Sequence, residues 1–119
     1  MLRHVCYDDL DPKSLDTGIV VFRSTGFSAL WTLCRDLSMD VLADVHTHGN
    51  AAPRQSAIDR ANPMIARIGH IAFVLPRFAT LLCLGLRNVA VAEYMGDYEW
   101  HDWTGKDVAR RVRLTWRWK

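Results

Sequence analysis

The chain has 119 residues, of which 50% are hydrophobic and 24% are charged. This balance is typical of a globular protein and excludes disordered, collagen-like and coiled-coil chains. Fifteen basic residues stand against thirteen acidic ones, and the net charge of +2 gives no argument for a polyanionic partner. We therefore expect one soluble domain over residues 1–119.

Cysteine usage and hydropathy indicate the compartment. The three cysteines, Cys6, Cys34 and Cys83, lie far apart and form no CxxC pair. They favour neither a disulfide framework nor a cysteine-rich zinc finger, so we expect a reducing cytoplasm. No apolar run reaches the roughly 18 to 20 residues that cross a bilayer. The most apolar stretch, residues 71–86, is interrupted at Pro76, and we expect no membrane contact.

The first forty residues are predicted to contain a strand and a helix. The β-branched run at residues 19–22 predicts a strand over residues 17–23. Apolar side chains then recur at the one-face spacing of an amphipathic helix, namely Phe27, Leu30, Trp31, Cys34 and Leu37. Ser24 or Thr25 is expected to cap the start of this helix.

A short strand over residues 41–46 is predicted to carry two histidines at its carboxyl end. His46 and His48 continue the alternation of that strand, and residues two apart in an extended chain point to the same side. Residues 49–55 have the composition of a loop, and residues 56–60 can form a helical turn. That turn places Ser56 and Asp59 on one face, where both can point towards the histidines.

Four further segments follow the histidines. Strands are predicted over residues 68–75 and 88–94, and residues 79–85 form a turn or a short element of ambiguous type. Residues 111–119 alternate apolar and basic side chains, which predicts a half-buried strand with a basic outer face. Basic residues interleaved with aromatic ones can also bind nucleic-acid bases. A single basic strand is weak evidence for a nucleic-acid-binding surface, so we expect no nucleic-acid partner.

The residues around the two histidines have the chemistry of a zinc site. Two imidazoles and a carboxylate can hold Zn²⁺ and leave the fourth position for water. A hydroxyl beside the ion can donate to the oxyanion of a tetrahedral intermediate. Taken alone, Ser56 is more often a helix N-cap and Asp59 a first-turn carboxylate. The combination of HxH, seven residues, Ser, two residues and Asp directly after a strand favours the metal site.

This pattern, from His46-x-His48 through Ser56 to Asp59, resembles the JAMM motif of the JAB1/MPN metalloprotease family. The resemblance extends from about residue 18 to about residue 103; the motif positions are specific, and the flanking similarity is one of pattern only. It implies an α/β fold with a three-layer-like mixed β-sheet flanked by helices, of the cytidine-deaminase-like type. It also implies that His46, His48 and Asp59 hold one Zn²⁺ and that Ser56 stabilises the oxyanion.

The resemblance further implies a zinc metallopeptidase that hydrolyses peptide or isopeptide bonds at the C-terminus of ubiquitin or a ubiquitin-like protein. The family's general base is a glutamate on a strand upstream of the histidines, whereas the first glutamate here is Glu93. Glu93 and Glu99 both lie downstream, and neither takes that role. Three explanations are open. The chain could begin after the segment that bears the base, an aspartate could substitute for the glutamate, or the protein could bind zinc without efficient turnover. The aspartates in question are Asp8, Asp9, Asp11 and Asp16. We favour the first explanation.

Two further residues are expected to lie close to the metal ligands. Asp44 shares a strand side with His46 and could orient its imidazole. His70 lies in an apolar strand, where a buried histidine is the usual outcome, and could lie near the site.

The expected partner is a ubiquitin-like protein or its C-terminal tail, and an exposed sheet edge would also invite an oligomer or a partner subunit. The alternative is a catalytically deficient MPN-type interaction module that retains the zinc site.

Overall fold

A computed structural model describes residues 3–51, 53–80 and 88–113. The chain divides into two compact units, Met1–Asp40 and Val41–Lys119. Within the described residues, no helix has the length and apolar composition needed to span a membrane.

The first unit contains two helices, α1 (Tyr7–Leu10) and α2 (Ser24–Leu37). Helix α2 confirms the predicted amphipathic helix, and Ser38 ends it in the left-handed conformation, with a φ of 52°. The predicted cap was wrong, because Arg23 is the N-cap residue and no side-chain hydrogen bond caps the helix.

The strand predicted over residues 17–23 is also wrong, because this segment consists of turns, a bend and irregular backbone. Asp11 closes the loop: its carboxylate accepts the backbone N–H groups of Lys13 and Arg23 at 3.2 and 3.1 Å. Ile19 remains 61% exposed and Val21 48% exposed. Strand propensity largely reflects packing on a pleated surface, and these side chains have none to pack on within the first unit as described.

The second unit is built on a four-stranded mixed sheet in the order β1-β2-β3-β4. Strand β1 (Ala43–Thr47) pairs in parallel with β2 (Ile71–Leu75), and β3 (Ala90–Gly96) pairs antiparallel with both β2 and β4 (Glu99–Trp103). Helix α3 (Ala57–Ala61) lies between β1 and β2 in the chain, and α4 (Val108–Arg111) follows β4. The expectation of an α/β fold with a mixed sheet is confirmed.

A hydrophobic cluster of the second unit lies on one face of this sheet. Ile71 and Val91 project from that face and pack with Val89 and with Val108 of helix α4. The Cα register places Asp44 and His46 on the opposite face, beside Ala72 and Val74 of β2. This cluster and the two predicted site residues on β1 therefore occupy different faces of the sheet, and the face of Asp44 and His46 also carries the buried residues Ala72, Val74 and Ala92.

Helix α3 crosses the face that carries His46. At one end of the crossing, the Asp59 carboxylate lies 3.5 Å from His46 Nε2 on β1. At the other, the guanidinium of Arg60 pairs with Asp102 on β4, and the indole N–H of Trp100 donates to the Arg60 carbonyl at 3.1 Å. These contacts attach α3 to both outer strands and hold Asp59 over β1.

The turn after β2, Arg77–Ala79, has unusual backbone geometry. Arg77, Phe78 and Ala79 have φ values of 45°, 51° and 65°, in a left-handed region that costs L-residues roughly 1–2 kcal/mol each. Phe78 N–H donates to the His48 carbonyl at 3.0 Å, and Arg77 N–H donates to the carbonyl of Asn50 at 3.0 Å. The turn is therefore tied to the segment that follows β1.

Two sequence predictions fall partly on residues that are not described. The ambiguous element at residues 79–85 is outside the described residues from position 81, and the C-terminal strand at residues 111–119 is outside them from position 114. Where it can be compared, the second prediction is wrong. Arg111 ends helix α4, and residues 112 and 113 have no strand structure.

Candidate metal centre

Three side chains predicted as metal ligands meet at the carboxyl end of β1. His46 Nε2 and His48 Nε2 each lie 3.5 Å from the same oxygen, Oδ2 of Asp59. One ligand atom from each residue lies within 4.8 Å of the other two, so this group could hold a metal ion. The side chains are 17%, 27% and 27% exposed. The cluster is therefore partly buried and partly open to solvent.

The local backbone explains how the two histidines come together. His46 lies within β1, and His48 extends the parallel pairing just past it, with its N–H donating to the Leu75 carbonyl at 2.9 Å. Because the chain stays extended, both imidazoles project to the same side, and their ring centroids are 5.2 Å apart. The alternation read from the sequence is what places these two ligands.

Asp59 is held in place by the start of helix α3. Ser56 is the N-cap: its Oγ accepts the Asp59 N–H at 3.1 Å, while Asp59 Oδ2 accepts the Ser56 N–H at 2.6 Å. This reciprocal pair is a capping box. The oxygen that accepts the Ser56 N–H is also the one that faces both histidines. The capping and metal-binding interpretations of these two residues are therefore compatible, since one side-chain orientation serves both.

Asp44 links the ligand His46 to the buried His70. Asp44 Oδ1 lies 2.7 Å from His70 Nε2, and its Oδ2 lies 3.6 Å from His46 Nδ1. A carboxylate at Nδ1 favours the tautomer that carries its proton there, which leaves the Nε2 lone pair for a metal. The structure thus brings together both residues that were predicted to support the site, and it adds their direct contact with each other.

The donor set fits a cation at the centre of the cluster. His46 Nε2 is buried and has no hydrogen-bond partner, although buried polar atoms are normally paired. The atoms facing it are another imidazole nitrogen and a carboxylate oxygen, both of them acceptors in the neutral and ionised states that ligate metals. Such a cluster of lone pairs repels itself unless protons or a metal ion lie between them. Imidazole and carboxylate together suit zinc and other first-row transition ions.

The remaining carboxylates on strands β3 and β4 lie in other surroundings. Glu93 accepts hydrogen bonds from Trp103 Nε1 at 2.9 Å and from Arg111 Nε at 3.0 Å. The Arg111 hydrogen bond holds the pKa of Glu93 below its usual value. Glu93 pairs with Ile71 in the sheet register, on the face opposite His46. Glu99 opens β4 and is exposed. Neither is placed to act as a base at the ligand cluster.

Replacing Asp44 by asparagine is expected to weaken zinc binding by about 10- to 100-fold, the usual cost of losing a partner that orients a ligating histidine. The amide keeps the shape of the carboxylate but not its charge, so His46 loses its preference for the Nδ1-protonated tautomer. Competition with a chromophoric chelator at pH 7.5 measures this affinity. Glu99→Gln, which removes an exposed carboxylate from β4, is the control. Equal zinc affinity in both variants would contradict the orienting role.

Zinc affinity is also expected to depend on pH through His46. The Asp44 carboxylate, 3.6 Å from His46 Nδ1, is the main cause that raises the pKa of His46 above 6.5; burial opposes it, and the charge of Asp59 adds to it. A ligating imidazole must be neutral, so affinity is full above this raised pKa and falls as the pH drops through it, by up to about tenfold per unit. Chelator competition between pH 5.5 and 8 tests this. In Asp44→Asn the onset should move to lower pH, and an unchanged onset would contradict the assignment.

The centre offers three ligands, an oriented imidazole and a serine hydroxyl held beside a ligand. Ser56 Oγ accepts one hydrogen bond from the backbone, which leaves its O–H free to donate. Sequence reasoning missed the contact between Asp44 and His70, which are 26 residues apart, and the turn at Arg77–Ala79. Compared with models of known protein families, the chain matches none.

Proposed function

We propose that this protein is a JAMM-type zinc metallopeptidase of the JAB1/MPN kind that hydrolyses peptide or isopeptide bonds at the C-terminus of ubiquitin or a ubiquitin-like protein. The observation that carries the proposal is the convergence of His46, His48 and Asp59 on one point. The spacing of these ligands and of Ser56 in the sequence resembles the motif of that family. The scattered cysteines favour a cytoplasmic setting.

The chain's own groups divide the work as follows. His46, His48 and Asp59 hold the ion, and Asp44 keeps the His46 proton on Nδ1. Zinc with three protein ligands polarises a carbonyl and lowers the pKa of water to about 7. Ser56 would donate a hydrogen bond from its hydroxyl to the carbonyl oxygen as negative charge develops there, which is worth about 10²–10³ in turnover for a well-placed donor.

A substrate tail would reach these groups along β1. This strand is first in the sheet order, so in the described part of the chain its outer edge is not paired with another strand. An extended peptide can bind such an edge through main-chain hydrogen bonds. Because His46 lies on β1, a peptide bound there has its backbone next to the ligands. The same edge would accept a second copy or a partner subunit if the tail does not occupy it.

The alternative function is a catalytically deficient MPN-type interaction module that keeps the zinc site. The observation in its favour is that neither described glutamate is placed at the cluster: Glu93 is engaged by Arg111 and Trp103, and Glu99 is exposed at the start of β4. Of the upstream aspartates, Asp11 accepts hydrogen bonds from Lys13 and Arg23, and Asp9 accepts one from Cys6. Such a module would bind its partner with zinc present and leave it intact.

Cleavage separates the two functions. The zinc-loaded protein is incubated with ubiquitin-like proteins that carry either a C-terminal peptide extension or an isopeptide-linked lysine, and products are identified by mass spectrometry. The proposal expects a single cut at the end of the ubiquitin-like domain that stops when a chelator is added and returns with zinc. Binding of the same proteins by calorimetry without any cut would reject the peptidase and support the interaction module.

A further inference from the structure

His70 is a buried histidine that is not one of the metal ligands. Its side chain is completely buried, at 0% exposed, although histidine usually keeps part of its ring in water. Its Nε2 lies 2.7 Å from Asp44 Oδ1, and its Nδ1 is buried without a hydrogen-bond partner among the described residues. In the described part of the chain, the imidazole therefore makes its polar contact with Asp44.

The strand pairing explains why these two side chains meet. The N–H of Tyr94 on β3 donates to the His70 carbonyl at 2.9 Å, which continues the pairing of β2 and β3 by one residue. Side chains two apart on a strand project to the same face, so His70 shares the face of Ala72. Ala72 pairs with Asp44 in the β1–β2 register. The sheet therefore brings His70 and Asp44 together on the face that carries His46.

The contact between His70 and Asp44 has a defined direction. An ionised carboxylate only accepts hydrogen bonds, so His70 Nε2 carries the proton and donates it to Asp44 Oδ1. The neutral tautomer with its proton on Nδ1 is disfavoured, because it would leave a buried N–H unpaired and turn two acceptors towards each other. With Oδ1 held in this way, Asp44 Oδ2 faces His46 Nδ1 at 3.6 Å.

We propose that His70 is a positioning residue for the metal centre, which fixes the Asp44 carboxylate so that its second oxygen faces Nδ1 of the ligand His46. Asp44 cannot turn away from His46 without breaking a buried hydrogen bond, and leaving such groups unpaired is costly. His46 thus keeps its proton on Nδ1 and its Nε2 lone pair for the ion, which raises metal affinity. The inference rests on the proposed function only through its zinc centre.

Two variants of similar length separate the donor from the shape of the side chain. His70→Gln keeps an N–H donor, because the amide nitrogen can take the place of Nε2, whereas His70→Met fills similar space without a donor. Zinc affinity is measured by competition with a chromophoric chelator at pH 7.5. It should fall about tenfold in His70→Met, the lower end of the loss for residues that orient a ligand. In His70→Gln it should stay within about threefold of the wild type, since the donor is retained.

A double variant tests whether His70 acts through Asp44. In the Asp44→Asn background, His70→Met should cause no further loss of zinc affinity, because the charge that His70 turns towards His46 is already gone. A residue that only stabilises the fold would lower the affinity in both backgrounds.

Proton NMR of the zinc-loaded protein gives a direct signature of the positioned carboxylate. Asp44 should shelter the His46 Nδ1–H from exchange with water, so its signal should be visible in the wild type and in His70→Gln. In His70→Met, exchange should broaden the signal.

Tyr94→Phe is the matched control, because Tyr94 is a buried residue of the strand beside His70. Its hydroxyl accepts the Tyr98 N–H at 3.1 Å. The substitution removes a polar group from the same part of the sheet and leaves the contact between His70 and Asp44 in place. It should lower the Tm and leave the zinc affinity and the His46 Nδ1–H signal unchanged.

Wild-type zinc affinity in His70→Met would overturn the inference, and so would equal losses in the methionine and glutamine variants or a full further loss in the Asp44→Asn background. If His70→Met does not fold, His70→Asn takes its place in each comparison, because its shorter amide stops before the position of Nε2. Zinc binding is measured without substrate. A protein whose zinc affinity depends on His70 and that cuts no ubiquitin-like substrate fails only the proposed function, and one that cuts but binds zinc independently of His70 fails only this inference.

Discussion

Replacing His46 by alanine is expected to abolish zinc binding and, with it, all cleavage of a ubiquitin-like substrate. His46 is the least exposed of the three ligands, at 17%, and among the described residues it is the one with a carboxylate beside its far nitrogen. Removing His46 should lower the zinc affinity by more than the roughly 100-fold that is lost when a residue that orients a ligand is removed. It also leaves the Asp44 carboxylate with one histidine partner in place of two. Zinc content after gel filtration and the cleavage assay measure the two losses.

A histidine elsewhere on the same sheet gives the matched control. His101 lies on β4, and its ring packs edge-on against Trp103 with centroids 4.6 Å apart. His101→Ala should keep full zinc content and cleavage. A His46→Ala protein that retained stoichiometric zinc and activity would show that the ion is held elsewhere and would end the assignment of this centre. If zinc were lost and cleavage activity retained, the assignment of His46 as a zinc ligand would be supported, but cleavage would not depend on zinc.

The ligand cluster could be predicted from the sequence because local periodicity determines most of it. The histidines follow from the period of two in β1, and Asp59 follows from a helical turn that starts at Ser56. One part of the motif is less specific than its spacing suggests. A capping box also requires a serine and a carboxylate three residues apart, and these two residues form one. The pair of histidines at the carboxyl end of a strand is therefore what distinguishes the site from an ordinary helix start.

The features that could not be predicted depend on contacts distant in the sequence. The segment at residues 17–23 has strand propensity, but Asp11 closes it into a loop and its apolar side chains remain exposed. Asp44 and His70 were each placed near the site, but their contact requires β1 and β2 to pair in parallel, which no local pattern specifies. The left-handed turn at Phe78 is likewise held by carbonyls nearly thirty residues earlier in the chain. Such features become apparent only once these distant segments are in contact.

Replacing Ser56 by glycine is expected to lower turnover by about 10²–10³-fold with zinc content unchanged, the usual effect of losing one oxyanion donor. Alanine would give a less clear result. Ser56 Oγ accepts the Asp59 N–H, and N-cap serine to alanine typically costs about 1 kcal/mol, whereas serine to glycine costs only a few tenths. Glycine, like alanine, keeps the backbone N–H at position 56, which donates to Asp59 Oδ2 at 2.6 Å, but it loses less of the stability of the cap. The ligand therefore stays in place when the hydroxyl is gone.

The comparison of the two Ser56 variants distinguishes catalysis from capping. If the hydroxyl acts on the oxyanion, glycine and alanine should lose similar amounts of kcat, and only alanine should lower the Tm clearly. If Ser56 serves only as the cap, glycine should retain nearly all activity, and the loss in alanine should follow its weaker zinc binding, because a loosened Asp59 is a poorer ligand. The kcat, zinc affinity and Tm of the same three proteins settle which role the hydroxyl has. A glycine variant with wild-type kcat would remove Ser56 from the catalytic groups and leave it as the residue that positions Asp59.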